Sequence, residues 1–324
     1  MPSPSSSLST LRPDLAGSVM EFDLAMDRLG FIGHQVLPVF EVGAQSGNFG
    51  VIPIEQLLQE RDTARAPGSG YARGSFTFAP ETYACFEHGA EEPVDDREQK
   101  MYREYFDAEL VSTQRALDVV LRNAESRISA AVFNATTFTA QTTSIANEWD
   151  DATNAVPITN VETAVRAVWA RCGIWPNALV INRTVFRNLR LCDQIQERIE
   201  SSGAGSPSKA SDITVEMLKA VFDLQHIFVA GGVYNSATEG QTLAIASQWS
   251  DEYAMVCKVA QSNDIREPCL GRTMHWAEDG STVGATVESY RDETVRSNII
   301  RARHDVDEKL IYTESAQLLD NVTT

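Results

Sequence analysis

Apolar and polar positions alternate along this chain in blocks, and the blocks change period several times. The first 16 residues are rich in Ser and Pro with little apolar content, which predicts an arm outside any core. Residues 34–42 alternate and end in turn formers, so they read as extended. "GNFGVIPIEQLL" reads as strand-like between Gly47 and Gly50, "RDTARAPGSGYAR" as a polar, glycine-rich tip, and "GSFTFAPETYACFEH" as a second extended limb with Phe76 and Phe78 on one side and Ser75 and Thr77 on the other. Two extended limbs around such a tip predict a long β-hairpin over 46–90. A two-stranded ribbon buries too little to stand alone, so it needs a neighbour.

The period then becomes helical. No proline falls between Pro93 and Pro157 and no glycine between Gly89 and Gly173. Asp95 with Glu98 three later has the form of a capping box, and the acid run Glu91, Glu92, Asp95, Asp96 suits the positive end of a helix. Met101, Tyr105, Leu110, Leu117, Val120, Leu121, Ala124, Ile128 and Ala131 recur at helical spacing. One helix over 96–133 is expected, about 57 Å long at 1.5 Å per residue. It holds no sustained heptad, so it reads as a spine laid across a sheet rather than a coiled coil.

After a threonine-rich break the chain alternates helix and strand. Asn160 is read as the cap of "VETAVRAVWARCG", with Gly173 as its stop; "ALVI" at 178–181 as a buried strand; and Asn182 as the cap of one helix through "RTVFRNLRLCDQIQERI". "SSGAGSPSKAS" is a loop, "TVEMLKAVF" a helix, and "HIFVAG", "TLAIA" and "YAMVCKVA" are strands. Together, roughly 160–260 reads as a compact α/β unit. "GATVESYRDETVRSNIIRARHDVDEKLIY" is an extended run expected to pair beneath the spine, and "TESAQLLDNVTT" a short tail.

Composition narrows the chemistry. The 324 residues are 43% hydrophobic and 22% charged, as in ordinary globular chains. No apolar run approaches the ~20 residues that span a bilayer, and the N-terminus lacks the charge and apolar run of a signal peptide. Cys85, Cys172, Cys192, Cys257 and Cys269 have no pairing or CxxC spacing, so they read as reduced thiols. A net charge of −18 disfavours dedicated nucleic-acid binding. Arginine outnumbers lysine 22 to 5, which favours fixed contacts between surfaces.

No catalytic constellation assembles. Gly68, Gly70 and Gly74 with Arg73 match neither a P-loop nor a dinucleotide loop, because no lysine follows and a strand, not a helix, comes next. "ALVIN" before a capped helix lacks the glycines a pyrophosphate needs. His34, His88, His226, His275 and His304 show no zinc spacing, and His226 reads as a core histidine. Asp305 and Asp307 share a strand face that reads as a solvated edge, and no GxSxG occurs. Neither a catalytic residue, a cofactor nor a metal is expected.

The order of elements resembles the major capsid proteins of tailed bacteriophages, with the Hong Kong 97-type fold. "PNALVINRTVFRNLRLCDQIQERI" and "RTMHWAEDG" followed by "ESYRDETVRSNIIRARHDVDEKLIYTESAQLL" carry the likeness. It implies an α+β fold divided into an N-terminal arm (1–45), an extended loop (46–94), a spine helix with the first part of a peripheral domain (95–154), an α/β axial domain (155–265) and the second part of the peripheral domain (266–324). It implies a shell of pentamers and hexamers enclosing double-stranded DNA held non-specifically, with a portal protein, a decoration protein and no membrane. Assembly would take place in the host cytoplasm. No long helical scaffolding segment precedes residue 17, so separate scaffolding is expected. Within the extended loop, Gly68, Gly70 and Gly74 would let the tip bend over a neighbour, while Arg65 and Arg73 would meet acidic partners. That loop has no lysine, Lys100 being the nearest, so the isopeptide cross-link of some family members has no donor there. An encapsulin-type compartment shares the fold and is the near rival. An α/β nucleotide-dependent enzyme is the distant one and lacks its phosphate loop.

Overall fold

A computed structural model describes residues 24–323 except 62, 72, 75, 76, 78, 103–106, 202–212, 278 and 279. The expected arm over 1–16 and the alternation of Phe76, Phe78 and Ser75 lie outside the described residues.

The chain opens with two short helices, α1 (Leu24–Arg28) and α2 (Gly33–Val36), where an extended segment was expected from residue 34; only β1 (Val39–Val42) is strand. The ribbon follows as β2 (Ser46–Val51), helix α3 (Ile54–Leu57) and β3 (Ala79–Ala84). The "PIEQLL" segment is thus helical, not strand. β4 (Phe86–Asp95) leaves the ribbon and runs along a larger sheet, so the paired limbs end at Ala84 rather than near residue 90.

The spine is shorter than its sequence suggests. α4 (Asp96–Tyr102) is separate from α5 (Ala108–Val132), whose 25 residues span about 37 Å. Asp107 starts α5 as a true N-cap, its carboxylate accepting from the backbone N–H of Glu109 and Leu110 at 3.0 and 3.4 Å. The buried stripe is Ala116, Val120, Ala124, Ile128 and Val132, while Met101 and Leu110 are exposed.

β5 (Thr142–Ser144) leads to α6 (Pro157–Cys172), which begins one turn before Asn160. Pro157 sits in its first turn, where a missing N–H costs nothing. Asn160 instead accepts from the Trp149 indole at 3.2 Å. Gly173 ends the helix at φ 68°, in the left-handed region that glycine tolerates. β6 (Ala178–Asn182) and the Asn182 cap are as expected, the cap accepting from Thr184 N–H at 2.7 Å. The helix after it is two, α7 (Arg183–Leu189) and α8 (Asp193–Ser201). α9 (Val215–Phe222), β7 (His226–Ala230), β8 (Val233–Asn235), β9 (Ile245–Ser247) and β10 (Ala254–Cys257) complete this region, and β11 (Gly271–Trp276), β12 (Thr286–Asp292), β13 (Ser297–Leu310) and β14 (Ala316–Asp320) finish the chain.

Two five-stranded sheets organise these elements. In the first, β13 is the axis: β4 runs antiparallel along one edge, and β12 then β11 occupy the other, with β1 parallel to β11. α5 lies on it, burying Ala116 and Val120 against Ala302. The second has the order β5-β14-β10-β6-β7. Both faces are covered at its centre, so β6 and β10 are buried at every position. Leu179, Ile181, Ala254 and Val256 point into one core with α6 to α9; Ala178, Val180, Met255 and Cys257 point into another with Ile32, Leu37, Ile128 and Trp249. β14 falls in what reads as a tail, yet Ala316, Leu318 and Leu319 are buried in this second sheet. The chain thus returns to the α/β unit after building β13, and residues 316–320 do not belong with the first sheet.

Candidate assembly surface

The ribbon stands on the first sheet and on little else. β2 and β3 pair from Ser46↔Ala84 to Val51↔Ala79 as a two-stranded ladder. Its residues are half-buried or exposed, with no buried apolar residue in either strand. Its foot is fastened by side chains of β13: Asp307 accepts from Ala84 N–H at 2.9 Å, and Lys309 meets Glu81 at 3.1 Å. Asp307 is therefore an anchor, and Asp305 near it is buried; the solvated edge expected of the pair is absent because β4 pairs with β13 at Asp305 and β11 pairs with it at Asp307. Further out, Gln56 of α3 bonds both the N–H and the hydroxyl of Thr77, at 2.8 and 3.0 Å, holding the limbs together beyond the ladder.

At the tip, Ala66-Pro67-Gly68-Ser69 forms a turn closed by Ser69 N–H to Ala66 C=O at 3.1 Å. Gly68 has φ 85°, so this position requires glycine, with Pro67 before it as a type II turn prefers. The other two glycines serve differently. Nothing lies within 4 Å of the place a side chain on Gly70 would occupy, while at Gly74 that space is filled by the Arg61 guanidinium. Arg65 turns inward, donating to Ser69 C=O at 2.6 Å with its guanidinium 4.9 Å from the Tyr71 ring centroid, so part of its capacity is spent shaping the tip. Arg73 is exposed. The five residues expected to act together lie on one exposed tip, with only Gly68 held to its conformation by the backbone.

A second feature escapes sequence reading. Glu125 of α5 is buried, and its two oxygens accept from Ile32 N–H and Gly33 N–H at 2.8 Å each and from the Trp249 indole at 2.6 Å. Burial pushes its carboxyl above the usual range, against the pull of those three donors. Nearby, Arg122 bridges Asp118 at 2.9 Å and Asp27 at 2.7 Å. Together they tie α1, α2 and the loop between β9 and β10 to the spine. The only signal in the sequence is a carboxylate standing next to Ala124 and three residues before Ile128, on the apolar stripe.

The histidines gather more than their sequence positions suggest. His88 and His304 face each other across β4 and β13 with ring centroids 6.0 Å apart, and His275 stands on β11 beside them. His304 is fully buried, its Nδ1 3.1 Å from Val283 C=O. Burial first, then the neighbouring Arg127, His88 and His34, hold its pKa near 4 against an ordinary 6.5. The unfolded chain therefore takes up this proton first as pH falls. Stability from neutral His304 is complete above pH 6.5 and is lost down to about pH 4. The loss is about 3 kcal/mol in all. His304→Gln is expected to flatten the fall in urea midpoint between those pH values; an unchanged slope would assign the acid sensitivity elsewhere. Among the described residues no group of three or more His, Cys, Asp or Glu is placed to hold a metal ion, and no helix is long and apolar enough to cross a membrane.

All five cysteines are free and buried. Burial raises the thiol pKa of Cys85 and Cys192 to about 11 and of Cys257 to about 12. Thiolate is the reactive form, so native particles should resist alkylation at neutral pH and label fully only when denatured. Boiled in detergent with or without reductant, they should run as one band near 35.6 kDa. A ladder that survives reductant would reveal a covalent cross-link, with Lys100, Lys258 and Lys309 as first suspects.

No family model matches the sequence. Among curated proteins, the major capsid protein of Burkholderia phage BcepMu is 24% identical over 280 residues, covering 83% of this chain and 86% of the relative. The major capsid protein of Pseudomonas phage JBD67 is 22% identical over 251 residues, covering 76% and 78%. Among solved structures, a phage-related protein of Bordetella bronchiseptica RB50 superposes with a TM-score of 0.65 at 22% identity, covering 92% of this chain and 95% of the other. The capsid of cyanophage P-SCSP1u gives 0.56 at 9% identity, covering 88% and 86%. The SrpI encapsulin of Synechococcus elongatus gives 0.50 at 11%, covering 94% and 96%. The fold is the Hong Kong 97-type capsid fold. The sequence likeness is to the two phage major capsid proteins, and the likeness to the encapsulin is one of fold alone.

Proposed function

We propose that copies of this chain close into the icosahedral head shell around a double-stranded DNA genome, with residues 46–84 as the clasp between neighbours. One observation carries the reading: a ribbon with no buried apolar residue of its own is rooted by Asp307 and Lys309 on the first sheet and ends in an exposed tip. An element built this way gains its stabilisation from another molecule. In this reading the first sheet and α5 are the peripheral domain. The second sheet with α6 to α9 is the axial domain, which meets its copies at fivefold and sixfold axes. β14 joins the axial domain because its hydrogen bonds and burial lie there.

The tip glycines adapt the clasp to slightly different neighbours, and Arg73 offers it a charge-assisted contact. The chain's role is structural rather than enzymatic. Its partners are a portal protein at one vertex, a separate scaffolding protein during assembly in the host cytoplasm, and a decoration protein outside. Packaged DNA touches it without sequence preference. Each subunit carries a charge of −18, so dissociated subunits should show no tight duplex binding at moderate salt. Nanomolar binding with a steep salt slope would contradict this. Electron microscopy of the expressed chain tests the shell, and the nucleic-acid absorbance of particles from infected cells separates a phage head from an encapsulin compartment.

A further inference from the structure

Resting on the shell reading, we infer that a stacked pair of exposed tryptophans on α6 and the loop after it is the seat for the arginine-bearing hairpin tip of a second copy of this chain. Trp169 and Trp175 stack with ring centroids 5.5 Å apart and planes 22° from parallel, yet remain 47% and 58% exposed. They flank Gly173, whose left-handed turn brings the second indole back over the first. Leu58 adds to the same surface: its Cδ1 is 3.8 Å from where a side chain on Gly173 would begin. Leu57 and Leu58 are exposed as well. Large indoles are costly to leave in water, and tryptophan is the residue most often found at the energetic centre of an interface.

The occupant follows from charge and chemistry. Copies carrying −18 each repel one another, so a close contact favours a cationic segment seated on the apolar indole pair, beside which Arg166 and Arg171 are already paired with Glu162 and Glu314. The tip holds Arg61, Arg65 and Arg73 within thirteen residues, together with the exposed ring of Tyr71. A guanidinium stacks on an indole face better than on any other side chain. The limb passes Gly173 at Leu58 and the tip lies beyond it, with no atom within 4 Å of the side-chain positions of Gly68 and Gly70. The tip is therefore presented outward from its own chain and open to another.

Native tryptophan fluorescence tests this. Trp149 and Trp249 are fully buried and Trp276 is half-buried, so in a Trp276→Phe background acrylamide quenching of free subunits reports chiefly on Trp169 and Trp175. Particles of this variant should lose that quenchable emission. Trp169→Ser with Trp175→Ser should raise the assembly threshold about tenfold. Arg73→Glu should do the same in the wild-type chain and add little in the double variant; circular dichroism of both variants checks that the subunit still folds. Three results would overturn the inference alone: particles whose tryptophan pair stays quenchable, a normal threshold in the double variant, or an Arg73→Glu effect that persists in full without the tryptophans. A wild-type chain that forms no particles with or without its genomic neighbours overturns the shell reading, and the inference with it.

Discussion

Deleting residues 62–74 should abolish shells while leaving a folded subunit. The deletion removes the tip turn, Arg65, Arg73 and the three tip glycines. It spares the ladder from Ser46↔Ala84 to Val51↔Ala79, the Asp307 anchor, and both apolar cores. No residue of those cores lies between 62 and 74, so the thermal transition of the free subunit should move little. Assembly is a different matter. Each subunit in a shell touches several others, so the loss of one contact repeats at every neighbour and the effect multiplies. Sedimentation should show only slow species. Normal particles from the deletion variant would mean that the ribbon is not the clasp.

That variant also provides a monomeric background for the second large effect, at Glu125. Three donors converge on its carboxylate: Ile32 N–H, Gly33 N–H and the Trp249 indole. Glu125→Ala leaves all three buried without an acceptor, a loss of about 3–5 kcal/mol. The backbone of Gly33 reaches the carboxylate only because it has no side chain. A Cβ there would stand 2.6 Å from the Glu125 oxygen and 2.7 Å from Ile128 Cδ1, so Gly33→Ala should cost about 1–3 kcal/mol by forcing the same two groups apart. Urea denaturation of the subunits measures both. Wild-type stability in Glu125→Ala would show that the arm is held by its apolar contacts at Ile32, Val36 and Leu37 alone.

Legibility followed the range of the interactions. "ALVIN" before "RT" announced β6 and its Asn182 cap because strand, cap and helix are local, and Gly173 announced the end of α6 for the same reason. The spine was recognisable from Ala124 and Ile128, but its start was not. Asp107 caps α5 within a stretch free of proline and glycine, and nothing apolar marks the restart. β14 read as a tail because five residues have no period long enough to register, and only β10 and β5 on either side make it a core strand. Glu125 and the facing of His88 and His304 were invisible for a stronger reason. Their partners lie about 90 and more than 200 residues away, and nothing in their own neighbourhood demands them. The tip was legible as flexible and basic, yet the division of labour among Gly68, Gly70 and Gly74 depends on φ and on where Arg61 falls.

Whether residues 46–84 bind a neighbouring subunit is visible in cryo-electron microscopy of the assembled particle at side-chain resolution. Density for the β2–β3 ribbon should lie across an adjacent copy, with its foot still on Asp307 and Lys309 of its own β13. Particles in which the ribbon lies only on its own subunit, with neighbours joined elsewhere, would contradict the clasp.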